Sequence, residues 1–274
     1  MQNIFWFCLG VTANEHGMLV HAATLMSNHP HVVVTDVRGV LPDFLREFHR
    51  LLANATKRHR GWPEEVFSAS DASVVDLISA AVIVDKVGYT IANPVAAFAV
   101  RYSRDWPGAT VAPHDIGRRV VRARRPAMYF RSDNPRWPAE VVLEITMPAA
   151  VVVELGSDDA ARAAFAASVR EHEHAAWREA ALRGRGFRGA HRSLNVPITA
   201  RASGAEDRHA QNPGFAAGGD RKRARELAIT LRGFRSAYRE ALERWRAGER
   251  HAPFPSGTWL MRVLHNVNCA PAPG

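Results

Sequence analysis

Two extended segments joined by a tight link constrain the fold of this chain most strongly. The segments MLVHAATLM (18–26) and HPHVVVT (29–35) are rich in apolar and β-branched residues, and only Ser27 and Asn28 separate them. A link this short allows two neighbouring strands to pair only in the antiparallel sense. The sequence therefore predicts a β-hairpin, against which the neighbouring segments must pack.

Helical periodicity flanks this hairpin on both sides. The predicted elements are a helix over 3–16, a helix over 42–60, a strand over 73–77 and a helix from 79 to about 92. Gly61 suits the end of the second of these helices, and Ser79 and Pro94 suit the start and end of the third. The order α-β-β-α-β-α predicts an α+β fold in which helices pack on a small antiparallel sheet.

The pattern weakens after residue 117, so we expect two parts, residues 1–117 and a mainly helical basic extension over 118–274. In the extension the sequence predicts an Arg-rich connector over 118–125, a strand over 141–145, a charged helix over 158–182, a loop region over 183–220 and a basic helix over 220–247. The loop region contains RGRGFRG (183–189), which is either a nucleic-acid contact or a solvated loop.

Charge is distributed unevenly along the chain. There are 36 Lys and Arg residues against 27 Asp and Glu, a formal charge of +9. Residues 1–117 contain 9 basic and 11 acidic side chains, and the remainder contains 27 and 16. A cationic half indicates a polyanionic partner, most often a nucleic acid, although arginine enrichment from a GC-rich genome gives the same pattern. The predicted nucleic-acid-binding residues are Arg118, Arg119, Arg122, Arg124, Arg125, Arg221, Lys222 and Arg223.

The remaining composition indicates a cytoplasmic protein. Cys8 and Cys269 are too few for a disulfide framework, which favours a reducing compartment. The sequence has no cationic leader or cleavage site, and no apolar run approaches the roughly 18 residues of a membrane helix. We therefore expect no membrane partner.

Two histidines stand one residue apart where the valine run begins. Side chains alternate along a strand, so His29 and His31 point to the same side. Two imidazoles on one face form a ready pair of metal ligands, but such residues are more commonly half-buried, hydrogen-bonded histidines. His21, on the partner strand, is expected to be structural.

A polar face on the helix over 79–92 offers the chemistry that such a metal site would use. Asp85, Tyr89 and Asn93 follow one another at intervals of four. A phenol can attack a phosphodiester when a divalent ion polarises the phosphate oxygens. The alternatives are an interface role for Tyr89 and a helix-ending role for Asn93; Tyr102 is a weaker candidate nucleophile.

These motifs resemble a known family. VHAATLMSNHPHVVV, GYTIANPVAAFAV and WPG, within residues 1–107, are similar to the single-tyrosine HUH transposases of the insertion sequence 200-like class, in the REP-associated branch. The resemblance implies a ferredoxin-like HUH endonuclease core, with Tyr89 as nucleophile and His29, His31 and Asn93 as ligands of Mg²⁺ or Mn²⁺. It also implies cleavage and rejoining of single-stranded or hairpin DNA through a 5′-phosphotyrosine. A homodimer is compatible with the sequence.

The chain departs from this family at three points. The family begins with a strand of the type YHVTxR, which is missing here, and Pro30 removes a backbone donor from the histidine strand. Gly88 costs about 1 kcal/mol in a helix interior. The alternative functions are therefore a nucleic-acid-binding protein without turnover and a metallohydrolase that uses the histidines alone. Trp62 and Trp106 are candidates either for base stacking or for packing at the domain edge.

Overall fold

The helix α1 (Gln2–His16) is buried on almost every side. The computed structural model describes residues 1–62, 64–67, 72–197, 215–216 and 221–270. Ten consecutive residues of α1, from Ile4 to Ala13, are buried. A helix that is apolar all round needs partners on several faces. The helix α1 packs on strands of both hairpins and on the second helix, all of which are described below. Gly17, in the left-handed region at φ 69°, ends the helix.

The predicted hairpin is confirmed. The strands β1 (Met18–Leu25) and β2 (Pro30–Asp36) pair antiparallel, with Thr24 opposite His31 and a bulge at His21. The helix α2 (Leu41–Arg60) follows, as predicted. The predicted strand over 73–77 is reduced to β3 (Asp76–Leu77).

The helix α3 (Ala80–Ala96) begins as predicted but ends later. The Ser79 side chain accepts a hydrogen bond from the Val82 N–H at 3.3 Å and caps the helix. The prediction that Pro94 ends the helix is wrong, because Pro94 lies inside it and is buried. Its missing N–H removes one backbone hydrogen bond, only two residues before the helix ends. The packing of α3 on β1 and on the helix Asp158–Leu182 offsets that loss.

A second hairpin replaces the predicted Arg-rich connector. The strands β4 (Val120–Arg124) and β5 (Glu140–Glu144) pair antiparallel, with Val121 opposite Leu143. The prediction that residues 118–125 form a connector is wrong, because most of them belong to β4. The alternation of buried Val121 and Ala123 with exposed Arg122 and Arg124 is that of a half-buried strand.

Helices dominate the rest of the chain. They are α4 (Ala149–Leu155), α5 (Asp158–Leu182), α6 (Ala190–Leu194), α7 (Arg221–Arg246) and α8 (Trp259–His265), with the short strand β6 (Phe215–Ala216). The predicted helices over 158–182 and 220–247 correspond to α5 and α7. Part of the predicted loop region over 183–220 lies outside the described residues. No described helix is long and apolar enough to cross a membrane.

The described chain is a mixed α+β fold that forms two compact units, Met1–Gly214 and Phe215–Gly274. One hydrophobic core in the first unit runs from Ile4 to Val169, so the boundary expected at 117–118 lies inside a core. The weakening of the local pattern after residue 117 indicated that boundary, but a local pattern does not describe packing between distant segments. The second unit has its own small cluster of Ala241, Phe254 and Val267.

Candidate functional site

The two histidines at the start of β2 face one another. The two imidazoles hydrogen-bond to each other through their Nε2 atoms, which are 2.8 Å apart, and their ring centroids are separated by 4.6 Å. Burial lowers the pKa of His29. Burial and the neighbouring His29 lower the pKa of His31 to about 4, against a smaller opposing effect of a hydrogen bond with Asn93. Both imidazoles are therefore neutral at pH 7, which is the form that binds a metal.

The geometry of this pair fits a shared cation. Two nitrogens that bind one ion at right angles, each about 2.1 Å from it, lie about 3 Å apart. The Nδ1–H of His29 donates to Asn28 Oδ1 at 2.8 Å, which leaves the lone pair on His29 Nε2. Such an outer hydrogen bond orients a ligating imidazole. Among the described residues, no group of three His, Cys, Asp or Glu side chains could hold a metal. The predicted third ligand is the amide oxygen of Asn93, a ligand type that Mg²⁺ and Mn²⁺ accept.

Tyr89 and Asn93 on α3 lie beside the histidines. The rings of Tyr89 and His31 are perpendicular, with their centroids 5.6 Å apart, and 38% of Tyr89 is exposed. Asn93, one turn further along, is buried, and its amide is close enough to His31 to oppose the lowering of the pKa of that imidazole. The structure thus brings together the four residues His29, His31, Tyr89 and Asn93 from two elements.

A fifth group, His172 on α5, completes this arrangement and was not predicted. The His172 Nε2–H donates to Asp85 Oδ1 at 3.0 Å, and the ring centroids of His172 and Tyr89 are 5.9 Å apart. Lys86 lies 3.2 Å from Asp85 Oδ2 and 5.3 Å from the Tyr89 ring centroid. The only signal in the sequence was the EHEH stretch (171–174) on an otherwise alanine-rich helix.

Gly88 explains how α5 comes so close to α3. A Cβ on Gly88 would lie 2.1 Å from Ser168 Oγ and 2.9 Å from the Ser168 carbonyl carbon. Real side chains do not tolerate such distances, so only glycine allows this approach. Ser168 lies one turn before His172, and Gly88 immediately precedes Tyr89. The glycine therefore sets the distance between the two rings.

Most arginines of the 118–125 segment have partners within the protein. Arg118 pairs with Asp159 at 3.1 Å, Arg119 with Asp115 at 3.0 Å, and Arg122 with Glu140 at 3.0 Å. The remaining two differ: Arg125 donates to the Trp137 carbonyl at 2.7 Å, whereas Arg124 is exposed. Their binding to nucleic acid stays a prediction.

The second arginine cluster begins α7 in the other unit. Of Arg221, Lys222 and Arg223, only the Lys222 side chain lies among those described, and it is exposed.

Two of the other residues considered in the sequence, His21 and Trp106, have structural partners within the protein. The His21 Nδ1–H donates to the Thr146 carbonyl at 3.0 Å, as expected of a structural histidine. Trp106 is buried and donates to the Leu25 carbonyl at 3.1 Å, while Trp62 is half-buried just after α2.

Comparisons of the chain with protein-family models, with curated proteins and with solved structures found no match.

Proposed function

We propose that this protein is a cytoplasmic, metal-dependent DNA strand transferase that cleaves and rejoins single-stranded DNA through a tyrosine. The observation that carries the proposal is the position of His31, whose imidazole contacts His29, Tyr89 and Asn93. A nucleophile thus lies beside two neutral imidazoles and an amide. The resemblance of the motifs to single-tyrosine HUH transposases supports the same function.

Tyr89 supplies the nucleophile in this proposal. A phenol with a pKa near 10 is only about 0.1% ionised at pH 7, so the hydroxyl must lose its proton as it attacks. The Tyr89 oxygen forms a bond to phosphorus and the bond to the 3′ oxygen of the strand breaks. The 3′ oxygen takes up a proton and leaves as a hydroxyl, and the 5′ phosphate stays on Tyr89. The reverse reaction rejoins a strand.

The surrounding residues hold the reacting groups. His29, His31 and Asn93 would hold Mg²⁺ or Mn²⁺, which polarises a phosphate oxygen when bound. Asp85 accepts a hydrogen bond from the His172 Nε2–H and so orients the imidazole beside the tyrosine ring. The rings of His31 and His172, which contact Tyr89, limit its ring to few orientations, which favours in-line attack.

Covalent capture of DNA tests the proposal. The full chain is incubated with end-labelled single-stranded DNA carrying a hairpin, with Mg²⁺, Mn²⁺ or excess chelator, and run on a denaturing gel. We expect a metal-dependent adduct that Tyr89→Phe abolishes and Tyr238→Phe does not. The substitutions His29→Ala and His31→Ala should also remove the adduct while the fold is retained.

Other outcomes would contradict the assignment in distinct ways. An adduct of full strength with Tyr89→Phe that disappears with Tyr102→Phe would transfer the nucleophile to Tyr102. Metal-dependent cleavage without any adduct would indicate a metallohydrolase. Tight binding with neither cleavage nor adduct would indicate a nucleic-acid-binding protein.

A further inference from the structure

Beyond the end of α3, two aromatic rings and two arginines form a surface that the candidate site does not use. The rings of Tyr102 and Trp177 meet edge to face, with centroids 5.3 Å apart. The Arg104 guanidinium lies 4.4 Å from the Tyr102 centroid, and that of Arg101 lies 5.7 Å from the Trp177 centroid. We call these four residues the aromatic–arginine surface.

Hydrogen bonds to α5 hold this surface rigid. Glu173 is buried and accepts hydrogen bonds from the Ser103 N–H at 2.6 Å and the Ser103 hydroxyl at 2.7 Å. The indole N–H of Trp177 donates to the Arg101 carbonyl at 2.8 Å. The backbone that carries the two arginines is therefore fixed on α5, so a ligand would not have to order it.

The charge of the surface is positive and open to solvent. Both arginines are exposed, and 78% of the Arg104 side chain is accessible. Arg104 approaches Asp105 only to 3.9 Å, and Arg101 has no carboxylate partner among the described residues. Glu173 is acidic, but it is buried beneath the surface and already bonded to Ser103. The surface thus offers positive charge to an anion.

The RGRGFRG loop extends this charge. The N–H groups of Arg188 and Gly189 donate to the carbonyls of Phe98 and Ala99, each at 2.9 Å. Arg185 lies 5.6 Å from the centroid of the Phe98 ring. The loop was expected to be either a nucleic-acid contact or a solvated loop, and it is anchored to the segment that leads into Tyr102.

Aromatic rings interleaved with arginines match the chemistry of unpaired nucleotides. Bases stack on aromatic side chains, and arginines pair with phosphates or lie over rings. A duplex keeps its base faces inside, so it cannot use the rings. An acidic peptide could use the charge but has no flat groups that need two aromatic partners.

We propose that the aromatic–arginine surface binds an unpaired nucleotide of a single-stranded nucleic acid, with its base against Tyr102 and Trp177 and its phosphates against Arg101 and Arg104. Trp177 lies five residues beyond His172 on α5, a rise of about 7.5 Å. The surface and His172 are thus carried by the same helix, and a role of the surface as a subsite for the cleaved strand rests on the proposed function. Binding itself does not.

Affinity for simple homopolymers tests this proposal. The full chain carrying Tyr89→Phe, which prevents reaction, is titrated with fluorescein-labelled dT12, rU12 and a 12-base-pair duplex in anisotropy experiments. Tyr102→Leu should weaken dT12 binding about tenfold to a hundredfold, because base stacking on the ring is removed, whereas Tyr102→Phe should stay within twofold. The duplex should be affected less than twofold. Equal losses for dT12 and rU12 indicate a general single-strand site, and a loss for one alone assigns the surface to that nucleic acid.

Charge substitutions provide the second arm. Arg101→Ala and Arg104→Ala should each reduce the slope of log K against log salt for dT12 by about 0.7. Arg131→Ala, at an exposed arginine paired with Asp133, is the matched control and should leave the slope unchanged. Thermal unfolding of each variant verifies the fold.

The outcomes separate this proposal from the catalytic one. The proposal for the surface is wrong if a folded Tyr102→Leu protein binds dT12 as tightly as before, or if its affinity for the duplex falls by the same factor. Neither outcome depends on the role of Tyr89. If Tyr102→Leu weakens the binding of single strands alone, and the protein never forms an adduct, the proposal for the surface stands and that for the strand transferase fails.

Discussion

Tyr89 on α3 and His172 on α5 lie edge to face with their ring centroids 5.9 Å apart, and the imidazole Nε2–H donates to Asp85. The tyrosine ring therefore contacts two imidazoles, since the ring centroid of His31 is 5.6 Å away. These contacts restrict the orientations of the proposed nucleophile. In the proposed function, α5 therefore positions Tyr89 as well as closing the core.

Removing His172 should slow adduct formation without weakening DNA binding. We expect His172→Ala to lower the rate at saturating DNA about tenfold to a hundredfold, since small misplacements of a reacting group have effects of this size. His172→Gln should recover part of the rate, because an amide can still bond to Asp85. Single-turnover rates and dissociation constants are measured together.

The exposed His114 supplies the control for this experiment, and His114→Ala should leave the rate unchanged. A rate equal to that of the wild type in a folded His172→Ala protein would mean that the imidazole only fills space between the helices.

Gly88→Ala should destabilise the protein by about 1–3 kcal/mol, since the added methyl overlaps Ser168. Gly233→Ala, also within a helix but with open space around it, should leave stability unchanged or increase it by up to about 1 kcal/mol. Ser168→Gly should rescue Gly88→Ala in part, because the backbone carbon of residue 168 stays close. Urea unfolding measures all three, and equal effects of the two alanines would contradict the close approach of the helices.

His21 should make the fold sensitive to mild acid. Burial lowers its pKa below 6.5, against a smaller opposing effect of the hydrogen bond to Thr146. In the unfolded chain the imidazole titrates near 6.5. As the pH falls from about 6.5 towards the lower native pKa, the unfolded state binds the proton first and the free energy of unfolding decreases; above 6.5 the effect is absent.

The measurement is the thermal midpoint against pH for the wild type and His21→Gln. The variant should lose part of the decrease below about pH 6.5, while His29, His31 and His49, whose pKa values are also lowered, account for the rest. Parallel curves for the two proteins would show that His21 does not contribute.

The two predicted arginine clusters should differ in their contribution to DNA binding. The combined substitution of Arg221, Lys222 and Arg223 by alanine should reduce the salt slope for single strands by about 2, at about 0.7 for each phosphate that is no longer neutralised. The same change at Arg118, Arg119 and Arg122 should reduce it less, since these side chains already have carboxylate partners. A larger reduction of the salt slope from the substitutions at Arg118, Arg119 and Arg122 would contradict this prediction.

Local periodicity predicted much of the fold, and long-range packing accounts for the parts it missed. The helices α1, α2 and α5 and the β1–β2 hairpin follow from apolar spacing within single segments. The strand β4 was missed because only Val121 and Ala123 mark its buried face among several arginines. The continuation of α3 through Pro94 depends on packing that no local pattern contains.

Local spacing likewise predicted part of the candidate site, and long-range packing accounts for the rest. The spacing along one strand predicted that His29 and His31 share a side, and the spacing along one helix predicted that Tyr89 and Asn93 do. Their meeting across two elements, and the contribution of His172, depend on how α3 packs on β2 and α5. The glycine that allows this approach appeared in the sequence only as an unfavourable helix residue.

The burial of α1 also has a consequence for synthesis of the chain. Its apolar surface packs on β4 and β5, and Gly10 of α1 lies directly against Val141. At about 5–20 residues per second, these strands leave the ribosome on the order of ten seconds after α1. For nearly half of its translation, the nascent chain therefore carries α1 without the two strands that cover one of its apolar faces. We expect aggregation on the ribosome, more than instability of the finished fold, to limit the yield of this protein.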